Sequence, residues 1–360
     1  MNPNLFYYHN LLPDTPWKTV EAMTNFDDQA LIERIIKAYQ SSINDISDLG
    51  GPIWTSISEK SKDIHELLLA GDVNKVADVL RYPANSNLLY GFENVFQEYA
   101  QQARENPKIG ELQARWAHDN LVRVAETIGA IRTYLPEVDF QEKNWAPDNL
   151  LESIEECIGF KLNFPNIIPE QNGIKSCRGV INHRAVQAFY QAWRIHQLQS
   201  FVNKDRVLEI GAGLGRTAWF ASLFGITDYT IIDLPMANVA QAYFLGRTLG
   251  PEKILLHGEY DDASSRIRIE NTSWFHTVNN HYDIALNNDS MVEIGIEAVD
   301  EYWKQLVNRV DIFVSMNHEA QEFRVADIPS RIGVPCKKIR SFHPIRKGYI
   351  EEIFFLGKQF

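Results

Sequence analysis

The chain of 360 residues is predicted to fold as an α/β protein, a helical N-terminal half followed by a mostly parallel sheet with helices on both faces. Three observations predict this. Apolar residues recur at helical spacing over positions 27–135. A dense group of Pro and Gly follows at positions 165–179. Beyond it, short β-branched runs alternate with helical stretches.

In chain order, "ALIERIIKAYQ", "IHELLLAGDVNKVADVL" and "LVRVAETIGAIRTYL" each carry an apolar stripe of helical period. Gly71 and Asn74 punctuate a helix-turn-helix, and Pro83 bars the helical region at Tyr82, so the second helix ends at "RYPANSN". "FPNIIPEQNGIKSCRG" holds Pro165, Pro169, Gly173 and Gly179 and marks the boundary between a helical domain, 1–178, and a sheet domain, 179–360. One helix, "VINHRAVQAFYQAWRIHQL", precedes seven candidate strands: "RVLEI", "YTIID", "KILLH", "YDIAL", "VDIFVS", "KKIRSF" and "YIEEIFF". Strands spaced by helices run parallel and are buried on both faces. The last two are joined by "FHPIRKG", too short for a crossover helix, so they must pair antiparallel, with "KKIRSF" at the edge.

Composition narrows the function classes. The net charge of −12 and an isoelectric point near 5.4 leave nothing to offset repulsion from phosphates, which excludes a general nucleic-acid binder and favours a small-molecule partner. Cys157, Cys177 and Cys336 are odd in number and far apart, which suits neither a disulfide framework nor a zinc cluster. The first residues lack a basic stretch followed by an apolar one, and no apolar run approaches the ~18 residues of a membrane span. The expectation is a soluble cytoplasmic protein.

The stretch "VLEIGAGLGR" is a strand running into glycines and then a helix. Such a turn aims backbone N–H groups and the positive end of a helix dipole at a ligand. A dinucleotide fingerprint requires G-x-G-x-x-G, but Arg216 stands at its sixth position, and the third glycine is Gly215. Glu209, two residues before Gly211, favours a ligand carrying a sulfonium or ammonium and repels a pyrophosphate. Asp233 closes the next strand, where a carboxylate suits a ribose.

This E-x-G-x-G-x-G pattern resembles the first motif of the class I S-adenosylmethionine-dependent methyltransferases. More narrowly, "GVINHRAVQAFYQAWRI", "YTIIDLPMANVAQAYFLGRTLG", "NNDSMVEI", "MNHEA" and "KGYIEEIFF" resemble the sugar O-methyltransferases of bacterial polysaccharide and secondary-metabolite clusters. The likeness reaches into the helical half at "LLLAGDVNKVADVLRYPANSNLLYGFEN". It implies a Rossmann-like seven-stranded sheet with the last strand antiparallel. It also implies S-adenosylmethionine as cofactor, held by Glu209, Gly211, Gly213, Gly215, Asp233, Leu234 and Asn288, with Glu259 taking the adenine amino group. The reaction implied is methyl transfer to a hydroxyl of a sugar or sugar-containing metabolite.

Such a transfer needs in-line positioning and a base. Candidates lie after the strands "YDIAL" and "VDIFVS": His318 first, because its ordinary pKa is near neutral, then Asp289 and Glu293. Glu293 has a second reading as the cap of the following helix. A Mg²⁺-assisted version of the reaction would use Asp289, Glu293 and Glu319, although no close-set acidic pair supports it, and the primary expectation is no metal. His183, Arg184 and Asn317 are candidates for the acceptor, Arg184 as a clamp on a carboxylate or phosphate. Arg340, Arg346 and Lys347 are placed to do the same from the last loop, and the 90–93 stretch "YGFE" is placed to cover the cleft. The helical half is expected to shape the acceptor pocket and support a homodimer. The competing classes are an NAD-dependent oxidoreductase and a non-catalytic nucleoside-binding protein.

Overall fold

The structure, a computed structural model, describes residues 5–8, 15–24, 26–43, 51–135, 137, 145–202, 206–260 and 265–357, the side chains of 51–54 excepted. The N-terminal half holds β1 (Trp17–Thr19), α1 (Gln29–Ile43), α2 (Gly51–Lys60), α3 (Lys62–Ala70), α4 (Val73–Arg81), α5 (Gln97–Glu105), α6 (Pro107–Thr127) and α7 (Pro147–Ile158). Local chemistry sets their ends. Gly71, at φ 69°, closes α3, and the Asp72 carboxylate accepts from the Lys75 N–H to cap α4. Asn74, read as turn punctuation, lies inside α4. Pro107 opens α6, with Asn106 capping it.

The Pro/Gly-rich stretch is not a bare linker. It forms β2 (Asn172–Ser176) and β3 (Gly179–Ile181), which pair antiparallel and take β1 on the other edge of β2. The 178/179 boundary therefore falls between two paired strands, inside the β2–β3 hairpin, and Ile174 and Ile181 are fully buried. One apolar core runs from Leu31 on α1 through these two residues to Val207 and Ile353 of the large sheet.

The second half holds α8 (His183–Leu198), β4 (Val207–Ile210), α9 (Arg216–Leu223), β5 (Tyr229–Asp233), α10 (Pro235–Leu249), β6 (Ile254–Leu256), β7 (Ile267–Asn271), α11 (Thr272–Thr277), β8 (Tyr282–Asn288), α12 (Ile296–Arg309), β9 (Val310–His318), α13 (Ile328–Arg331), β10 (Lys337–Phe342) and β11 (Tyr349–Phe355). The large sheet has the order β10-β11-β9-β8-β4-β5-β7-β6. It is parallel from β9 to β6, and β11 is antiparallel to both β9 and β10. The terminal hairpin and the edge position of β10 are as the short loop required. Eight strands replace the expected seven because "IRIEN" forms β7, between β5 and β6. Its polar letters concealed it: Glu270 is buried, held by His257 and Arg268.

Candidate functional site

A cavity of about 790 Å³ opens at the carboxyl ends of the central parallel strands, within the size range of small-molecule sites. The order reverses between β4 and β5 on one side and β8 on the other, which is where open α/β sheets bind ligands.

The glycine turn after β4 forms the cavity floor. Gly211, Gly213 and Gly215 all have positive φ, at 74°, 58° and 85°. At Gly211 the need is also steric: a Cβ would fall 2.0 Å from Ser290 Oγ. Ser290 is fixed there by the Asn287 amide, which also donates to the Ile210 carbonyl. Asn317, expected at the acceptor, instead lies behind this turn; its Nδ2 donates to Asn287 Oδ1 and Ser315 Oγ at 2.9 Å each, and it does not line the cavity. It supports the floor from β9, where the pleat turns it inward.

Glu209 lines the cavity with its carboxyl buried, accepting a hydrogen bond from the Tyr229 hydroxyl at 2.8 Å, with the Thr217 hydroxyl also within reach. Burial without a cation pushes its pKa up to about 7. Asp233 Oδ2 accepts from the Ala212 N–H and the Gln241 amide, and Oδ1 from the Leu234 N–H, which leaves Oδ1 with spare acceptor capacity. Burial outweighs these bonds and raises its pKa to about 6. Leu234 and Asn288 also line the cavity. Glu259 does not. Both its oxygens are engaged at 2.7 Å by Arg34 of α1, which holds its carboxyl below the usual range against the effect of burial, so its assignment to the adenine is corrected.

The other wall is charged. Asp289, with an unusual positive φ of 65°, accepts from the Tyr349 hydroxyl at 2.8 Å and pairs with Arg346 at 2.7 Å. Burial would raise its pKa, but Arg346 and Tyr349 overcome that and leave it below its ordinary value. Glu293 also lines the cavity; burial, reinforced by the charge of Asp289, raises it to about 7. It does not cap α12, whose N-cap, Gly295, makes no side-chain bond.

His318 stands 3.9 Å behind Asp289, with Nδ1 accepting from the Ala320 N–H, and is not part of the cavity lining. Glu319 is corrected as a metal candidate because Arg340 takes both its oxygens. Among the described residues, the group able to hold a cation is instead Asp289, Glu293 and His318, with ligand atoms within 4.8 Å of one another. None of Arg340, Arg346 and Lys347 is among the lining residues, and Arg346 reaches the wall only through Asp289.

α8 crosses the cavity with one face: Arg184, Gln187, Ala188 and Gln191, at helical spacing, line it. His183 turns away, buried and stacked on Trp116 at 3.8 Å between ring centroids, and burial drives its pKa well down, so it is corrected as a substrate contact. From the helical half, Gly91, Phe92 and Glu93 cover the glycine turn, as the 90–93 stretch was expected to do. Glu93 pairs with buried Arg216, which explains the arginine at the sixth motif position. Thr272, Ser273 and His276 of α11 and Tyr302 of α12 complete the lining near Asp233. These were missed because β7, which positions α11, was missed. The spacing of Arg184, Gln187 and Gln191 along one face of α8 was a readable signal.

No family model matches the chain, and no curated protein matches it. Among solved structures it is similar to the methyltransferase domain of bacterial CtHen1, at 11% identity and TM-score 0.35, over 47% of this chain and 99% of that one. It is similar to the plantazolicin methyltransferase BpumL in complex with S-adenosylhomocysteine, at 10% identity and TM-score 0.34, over 48% of this chain and 82% of that one. It is also similar to the magnesium protoporphyrin IX methyltransferase of Synechocystis PCC 6803 with bound S-adenosylmethionine, at 10% identity and TM-score 0.33, over 48% and 83%.

Proposed function

We propose that this chain is an S-adenosylmethionine-dependent O-methyltransferase acting on a hydroxyl of a sugar or sugar-containing metabolite. The observation that carries the cofactor is Glu209, a buried carboxyl facing the cavity with no cation beside it among the described residues, next to a glycine turn and to Asp233. A sulfonium ligand supplies the missing charge, and a pyrophosphate does not. Asp233 Oδ1 would hold a ribose hydroxyl, and the turn lets the ligand approach the backbone closely.

When bound, S-adenosylmethionine supplies a methyl group already activated by its sulfonium. The chain's part is then to orient the acceptor, exclude water and take one proton as the methyl carbon leaves sulfur for the acceptor oxygen. Glu293 is assigned as the base, since it faces the cavity with a carboxyl held near 7, and Asp289, fixed by Arg346 and Tyr349, keeps it there. His318 becomes a neighbour acting through Asp289. The sugar acceptor rests on the sequence motifs, and the polar wall of Arg184, Asp289 and Glu293 accords with it.

A metal-assisted version has one observation in its favour, the convergence of Asp289, Glu293 and His318. That mixed nitrogen and oxygen set suits Mn²⁺ or Zn²⁺ as well as Mg²⁺, and Arg346 competes for Asp289. Retention of activity in EDTA removes this version. The homodimer remains part of the proposal and is read by light scattering on the full chain.

The cofactor is tested by mass spectrometry of the purified protein for carried-over S-adenosylmethionine or S-adenosylhomocysteine, and by thermal shift with both and with NAD. The expected outcome is stabilisation by the first two alone, lost in Asp233→Ala and kept in Glu259→Ala. Stabilisation by NAD alone overturns the proposal.

A further inference from the structure

Among the described residues, two donors on the cavity face of α8 have no hydrogen-bond partner. Arg184 Nε and Gln187 Nε2 are both buried with no hydrogen bond, one turn apart, and both residues line the cavity. Gln187 is only 6% exposed. The other guanidinium groups here are committed: Arg216 pairs with Glu93 and Arg346 with Asp289. Among the described residues, Arg184 makes no ion pair within 4 Å. A buried guanidinium edge and a buried amide left unpaired cost free energy that a ligand's acceptor oxygens would recover. N–H donors one turn apart on the same helix, one of them carrying the guanidinium charge, offer a carboxylate two hydrogen bonds and an opposite charge.

We infer that Arg184 and Gln187 form a carboxylate-binding cradle in the cavity. The inference rests on the methyltransferase reading and deepens it. Two ligands bring a carboxylate into such a site: the amino-acid end of the cofactor, or an acidic sugar acceptor of the uronate kind. The cradle lines the same cavity as Tyr302 and His276, which leaves both ligands within one enclosure.

The test is calorimetric titration of the full chain and of Arg184→Gln and Gln187→Leu with S-adenosylhomocysteine and with 5′-methylthioadenosine, which keeps the nucleoside and sulfur but lacks the amino-acid end. Thermal unfolding confirms that each variant is folded, and Arg184→Lys serves as the variant that keeps charge without the fork. Glucuronate and glucose are then titrated into the protein saturated with S-adenosylhomocysteine. If the cofactor supplies the carboxylate, Arg184→Gln weakens S-adenosylhomocysteine roughly 10- to 100-fold and leaves methylthioadenosine unchanged. If the acceptor supplies it, both nucleosides bind as before, and wild type binds glucuronate over glucose by a margin that Arg184→Gln and Gln187→Leu abolish. The inference is overturned if the variants weaken the two nucleosides equally, or if they change neither the nucleoside ratio nor the sugar preference. Failure of wild type to bind either nucleoside is a different result, which overturns the methyltransferase reading and the inference with it.

Discussion

Glu209 is a carboxyl group whose surroundings suit it in ionised form only when a cation lies beside it. In the free protein its pKa of about 7 lies above the ordinary 4.5, so the unfolded chain ionises first as pH rises. The stability it contributes is present below about 4.5 and is lost as pH rises through about 7. Glu209→Gln removes that loss. The variant should match wild type near pH 4.5, exceed it by on the order of 1–3 kcal/mol at pH 8, and bind S-adenosylmethionine less well. Denaturant titrations across this range check it; parallel curves for the two proteins would sink the idea. Glu293 carries the catalytic prediction. Since a base acts when deprotonated, turnover should rise with pH through about 7. Glu293→Gln should abolish that limb and lower turnover roughly 10²–10⁴-fold, and His318→Ala should cost less. The reverse order of effects restores His318 as the base.

At the scale of elements, the turn between β4 and α9 is the most constrained piece of backbone in the site. Gly211→Ala combines a left-handed φ with a clash against Ser290, which is itself pinned by Asn287. Gly225, at φ 83°, has nothing within 4 Å of an added Cβ and bears the conformational strain alone. Gly225→Ala should therefore cost roughly 1–2 kcal/mol and leave ligand binding intact. Gly211→Ala should cost more and abolish binding of S-adenosylhomocysteine. Equal losses of binding in the two variants would show that the Ser290 contact is not what shapes the floor. α8 and the β10–β11 hairpin act as a second unit, since the hairpin loop delivers Arg346 to Asp289 and α8 delivers Arg184 to the same wall.

Across the whole molecule, the helical half and the sheet share one core and several charge clusters. Asp28, just before α1, has a fully buried side chain that meets Arg81 of α4 and both Tyr243 and Arg247 of α10. Asp28→Ala strands two guanidinium groups between the halves. It should cost about 3–5 kcal/mol, read as a lower midpoint in urea unfolding. An effect below about 1 kcal/mol would mean that water reaches the cluster readily. A chain beginning near 176 loses α1, whose Leu31 packs on Gly246 of α10, and so exposes the sheet's own outer layer.

The alternation of β-branched and helical runs determined the parallel sheet, because period and turn chemistry act locally. The spacing of Glu209, Gly211, Gly213 and Gly215 determined the ligand turn, and the short loop before β11 determined the terminal hairpin, for the same reason. What the sequence could not determine was which of 47 acidic side chains would be left facing the cavity. Glu259 is taken by Arg34 from 225 residues away, Glu319 by Arg340, and Arg216 takes Glu93 from 123 residues away. Glu293 and Arg184 stand out because, among the described residues, neither is held in an ion pair within 4 Å. Charge pairing across such separations is decided by which surfaces pack together, and only the tertiary structure sets that.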